Sequence, residues 1–77
     1  MNTIEESFNT IKQAMIDDDP GKPGSYAHSW HCNISMMCFD AILNEPMVHI
    51  SRDVAHKIGN DAASRFMKLC FGVETKA

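Results

Sequence analysis

Apolar residues recur along this chain every three to four positions, the spacing of helices, and the pattern breaks twice. The first break is Asp17-Asp18-Asp19-Pro20-Gly21-Lys22-Pro23-Gly24. Proline lacks an N–H donor and glycine reaches left-handed backbone angles, so this segment reads as a turn. The second is Asn44-Glu45-Pro46. Three helices follow, over about Thr3–Asp17, Ser25–Leu43 and Arg52–Phe71. In the first, Ile4, Phe8, Ile11 and Met15 form one narrow seam, with Ile16 beside it. Thr3 and Glu6 have the spacing of a capping box. The acidic run at its end opposes the helix dipole and predicts fraying there.

The second helix is different in kind. At ~100° per residue, Tyr26, Trp30, Ile34, Met37 and Ala41 fall on one apolar face. Cys32, Met36, Phe39 and Leu43 form another, with His28, His31 and Ser35 between the two. Only Ser29, Asn33 and Asp40 make a fully polar wedge, and a helix this apolar is normally buried on most sides. The third helix has Ser51 as N-cap, Asp53 in its first turn and Gly72 as the residue that ends it. Its broad apolar arc contains Ala55, Gly59, Ala62 and Ala63, small enough for a close approach to the second helix. Met47-Val48-His49-Ile50 reads as a loop tucked against the core. The fold class expected is an all-α, three-helix domain with a largely buried central second helix. That helix carries more apolar surface than two neighbours can cover. Self-association through Cys32, Met36, Phe39 and Leu43, as a homodimer, is the expected remedy.

Size sharpens the same point. The chain has 77 residues, enough for one domain over 1–77, with 44% hydrophobic and 22% charged residues placing it among globular proteins. A domain this short buries only roughly 60% of its unfolded surface and relies on disulfides, a metal, unusually good packing or a partner. Three cysteines (Cys32, Cys38, Cys70) cannot all pair within one chain. The opening Met1-Asn2-Thr3 has no basic n-region or apolar h-region, so no secretory signal is expected and reduced thiols in a cytoplasm fit best. A membrane span needs ~20 predominantly apolar residues, and no such run exists.

The densest chemistry is Tyr26-Ala27-His28-Ser29-Trp30-His31-Cys32-Asn33. His28, His31, Cys32 and Cys38 share one side of a helix and are zinc-type ligands, with His49, His56 or Cys70 able to complete a set. Structural zinc sites draw paired ligands from two places, however, and only one cluster exists here. The adopted reading has Cys32 and Cys38 as small core residues and His28 and His31 as hydrogen-bonded boundary residues. No cofactor is expected. Cys32 with His28, oriented by Asn33 or Asn60, matches a nucleophile–base list. Mid-helix positions offer no free backbone N–H groups for an oxyanion, so the chain is read as not an enzyme. Gly21-Lys22-Pro23-Gly24-Ser25 lacks the spacing and preceding strand of a phosphate loop. Residues 1–40 carry -4 and residues 41–77 carry +1, giving the net -3. Arg52, Lys57, Arg65 and Lys68 are interleaved with Asp53 and Asp61, which argues against nucleic acid. Met36, Met37, Met47 and Met67 read chiefly as core filler, Met36 least so. Tyr26, His28 and His31 are the candidate contacts for a small nucleotide-type ligand.

Ser25–Ile42 (SYAHSWHCNISMMCFDAI) and Asn60–Lys76 (NDAASRFMKLCFGVETK) resemble small proteins of unassigned function encoded by tailed bacteriophages. The resemblance covers about half the chain, and Trp30-His31-Cys32-Asn33 is its most distinctive part. It implies no mechanism for those residues. It does imply a setting, an infected bacterial cytoplasm, where accessory proteins of this size bind a host enzyme or defence component, or capture a nucleotide signal. The expectation is therefore a non-enzymatic homodimer that binds a host protein, inhibiting or redirecting it. The alternatives are a nucleotide sponge at a subunit interface and a small zinc-stabilised domain.

Overall fold

The structure, a computed structural model, describes residues 3–47 and 49–75. It consists of α1 (Ile4–Asp17), α2 (Tyr26–Leu43) and α3 (Arg52–Phe71), with no strand among the described residues. Side-chain caps fix the three starts. Thr3 Oγ1 accepts from the Glu6 N–H at 3.1 Å while the Glu6 carboxylate accepts from the Thr3 N–H at 3.3 Å. Ser25 Oγ accepts from the His28 N–H at 3.1 Å, and Ser51 Oγ from the Val54 N–H at 3.3 Å. These bonds satisfy N–H groups that have no partner within the helix. Gly72, at φ 67, ends α3 in the left-handed region and donates to Lys68 O. The chain then doubles back, with Val73 and Thr75 buried and Glu74 exposed.

The acidic run does not fray α1, which continues to Asp17. The Gln13 amide holds the Asp17 carboxylate at 2.9 Å, and Asp18 accepts from the Tyr26 N–H at 2.8 Å. Asp18 thus serves the start of α2, where the dipole favours negative charge.

α2 and α3 pack along two lines with a four-residue step. Ala27, His31, Ser35 and Phe39 line α2; Ala55, Gly59, Ala63, Met67 and Phe71 line α3. Four-residue ridges on both helices are the commonest mode of helix packing. At its tightest point a Cβ on Gly59 would lie 2.7 Å from Ser35 O. The α3-facing line of α2 is therefore the strip between the two apolar faces read from the sequence. Close approach selects residues that are small or that can be hydrogen-bonded, and the bulky side chains are displaced to the flanks. Phe39 lies at one end of the line, stacked on His56 (centroids 3.9 Å apart) with the Arg52 guanidinium 5.4 Å from its ring centre.

At the other end sits the core, Met15, Ala27, Met67, Phe71 and Val73, with Ile11, Trp30 and Ile34 packed against it. Phe71 is its hub, 5.3 Å from both Phe8 and Trp30 and 6.0 Å from Phe66. α1 covers only this end, and Met15 is its one buried residue. Met37, expected on the covered face, is 71% exposed as a result. Nor is the loop after α2 tucked in: Met47 and His49 are exposed, Ile50 is half-buried, and Val48 lies outside the described residues. The radius of gyration is 14.0 Å, whereas a compact domain of this length has about 11.5 Å.

In an open helix Gly→Ala is stabilising by up to ~1 kcal/mol. At position 59 the added methyl meets backbone, so Gly59→Ala is expected to destabilise the domain by about 1–3 kcal/mol in urea unfolding. A more stable variant would show that the helices do not meet here.

Candidate functional site

His31 is fully buried, on the line that faces α3. Its Nε2 lies 2.5 Å from Asn60 Oδ1 and its Nδ1 2.7 Å from Thr75 Oγ1. The amide oxygen can only accept, so the ring donates to it from Nε2, while the Thr75 hydroxyl partners Nδ1. Ser64 Oγ donates to Thr75 O at 3.2 Å, so Thr75 is held at both its side chain and its carbonyl. The group fastens α2, α3 and the return segment together, and it leaves no buried side-chain polar atom unpartnered among the described residues. The predicted ligand contact His31 is therefore structural. Asn60 and Thr75 were not foreseen in this role. Val73 and Thr75 are buried and Glu74 exposed; three residues after the helix-ending Gly72 are too few to announce this in the sequence.

His28 and Cys32, one turn apart, form a separate pair. Cys32 Sγ and His28 Nε2 are 3.4 Å apart and both residues are half-buried. The four-ligand set His28, His31, Cys32 and Cys38 is not assembled. Both His31 nitrogens are engaged, and Cys38 lies six residues from Cys32, about 120° around the helix. No group of three or more metal-type side chains occurs among the described residues. The nucleophile–base distance of the Cys–His reading is present, but its orienting group is not: Asn60 is bonded to His31 and Asn33 is exposed, ~100° from Cys32.

Tyr26 is at the rim, edge-on to Trp30 at 6.4 Å. Two residues on a helix are about 200° apart, so Tyr26 and His28 look to opposite sides of α2. With His31 buried as well, the three do not converge on one ligand. Of the predicted interface residues, Cys32 is half-buried, Met36 and Leu43 are exposed, and Phe39 is buried against α3 and unavailable to a partner. A shallow hollow of about 280 Å³ between Ser64, Lys68, Glu74 and Thr75 contains none of the predicted site residues. Comparison with known protein families, with curated proteins and with solved structures finds no match.

Replacing the Thr75 hydroxyl by a methyl leaves His31 Nδ1 buried without a partner. Thr75→Val is expected to destabilise by about 1–3 kcal/mol, and Thr75→Ser, which keeps the hydroxyl, by less. Urea midpoints measure the difference; equal values for both variants would exclude the hydrogen bond as a stabilising element.

Proposed function

We propose that this protein is a small, non-enzymatic binding protein that works as a homodimer and engages a protein partner. The observation that carries the reading is surplus surface. The chain exposes 5641 Å², against roughly 4700 Å² for a compact monomer of its 8.6 kDa mass. The excess, roughly 900 Å², is about what one partner loses in an interface of standard size. Its chemistry points the same way. Among the described residues, twelve large apolar side chains are more than a third exposed, while five of comparable size (Met15, Phe39, Met67, Phe71, Val73) are buried.

Cys32, Met36 and Leu43 lie within ~40° of one another around α2 and form the dimer face in this reading. The N-terminal end of the α1 seam, beyond the core that Ile11 and Met15 enter, supplies a second surface. Ile4 is 78% exposed and Phe8 half open, at the spacing by which amphipathic helices dock in grooves. Glu5 lies about 60° from Phe8 at the edge of this surface, and residues 1–40 carry -4, so the groove that receives it has a basic rim. No described helix is long and apolar enough to cross a membrane. The resemblance to small phage proteins supplies the setting: a host protein as target, bound and thereby inhibited or redirected.

Light scattering at micromolar concentration in untreated buffer is expected to give twice the 8.6 kDa chain mass. Met36→Glu combined with Leu43→Glu should raise the dimer dissociation constant at least ~10-fold by facing like charges across the interface. Ile4→Glu should leave the dimer intact and abolish capture of the partner from phage-infected lysate. A wild-type chain that stays monomeric as it is concentrated overturns the dimer.

A further inference from the structure

We infer that His28 and Cys32 are half of a tetrahedral zinc site which the same two residues of a second copy complete. The inference rests on the dimer reading above and deepens it by assigning the face a ligand.

The geometry comes first. Zinc binds thiolate sulfur at about 2.3 Å and imidazole nitrogen at about 2.0–2.1 Å, so the tetrahedral S···N edge is roughly 3.6 Å. The observed Sγ···Nε2 separation is 3.4 Å, set by a four-residue step on a rigid helix. Two ligands spaced this way on one helix face are a recurring zinc-binding arrangement. Little reorganisation is needed for the pair to chelate a metal. Thiolate with imidazole in tetrahedral array favours zinc over the harder cations.

Two ligands do not hold a structural zinc, which takes four. The chain supplies no others nearby, because no group of three metal-type side chains occurs among the described residues. The nearest candidates in sequence are removed: His31 is bonded to Asn60 and Thr75, and Cys38 lies on another side of α2. A two-fold axis through the metal solves the count, since it presents each pair twice and yields a Cys₂His₂ site. Met36 and Leu43, on the same side of α2 as Cys32 and following it along the helix, add exposed apolar surface to that face. Charge is consistent as well. Each Cys32 thiol releases one proton to solvent on binding, and two thiolates neutralise one Zn²⁺, so the dimer face receives no net charge.

The test uses the full chain without a polyhistidine tag. Zinc titration by calorimetry is expected to give one ion per two chains, with light scattering showing a dimer in zinc and a shift toward monomer in EDTA. Cobalt(II) substitution should produce a thiolate-to-cobalt charge-transfer band. His28→Ala and Cys32→Ser should each weaken zinc binding by more than the ~10–100-fold that loss of an outer-shell partner costs. Cys38→Ser should bind zinc as the wild type does, and circular dichroism identifies any variant that fails to fold. A dimer that persists in EDTA and binds no zinc overturns the metal site and leaves the dimer standing. A chain that is monomeric with and without zinc overturns both. Binding at one ion per chain, or retained in both His28→Ala and Cys32→Ser, also overturns the site.

Discussion

Everything in this fold depends on how closely α2 and α3 approach. The distance from the Gly59 backbone to Ser35 O leaves no room for a side chain, and the neighbours along both lines are chosen accordingly. Alanines at 55 and 63, one turn to either side of Gly59, are fully buried, and Ala27 is buried in the core at the end of the pair. Larger side chains lie to either side of the Gly59 contact: Phe39 stacks on His56, and Met67 and Phe71 fill the core. His31 is the exception within the tight zone. Burying its two nitrogens is tolerable only because Asn60 and Thr75 meet them.

The same approach explains the surface. Bulky residues barred from the contact line sit on the flanks of α2, and α1 covers one flank at one end only. Trp30 and Ile34 gain cover from Met15 and Phe71, while Met36 and Met37, further along, gain little. A third helix of 14 residues cannot shield the apolar flanks of helices of 18 and 20. The surplus is therefore a geometric outcome of one tight pair and one short helix. It falls beside the His28–Cys32 pair.

Helix number, ends and caps were legible in the sequence because they depend on local chemistry. Thr3, Glu6, Ser51 and Gly72 act on groups within a turn of themselves, and the Ser25 cap, just as local, went unread. The small residues of α3 were legible too, since a four-residue spacing of Ala and Gly has few other uses. Which strip of α2 faces them was not. A wheel weighted by hydrophobicity ranks Trp30 and Met37 above His31 and Ser35, whereas a close helix contact is decided by size and by hydrogen-bond satisfaction. For the same reason the His/Cys cluster was legible as a set of residue types but not as an arrangement. His31 left the set for a partner 44 positions away, a pairing that periodicity cannot reveal.

The contact at Gly59 also bears on how such a chain can evolve. At most sites a helix tolerates gradual change in side-chain volume, but here the first carbon atom already exceeds the space. Drift at position 59 is blocked unless the path of α2 shifts, because the obstacle is the backbone of residue 35. Exposed positions such as Leu69 and Met47 carry no such link and are free to diverge. Across descendants of this sequence, a glycine opposite a small residue should outlast the rest of the core, marking the fold after its surface has been rewritten for new partners.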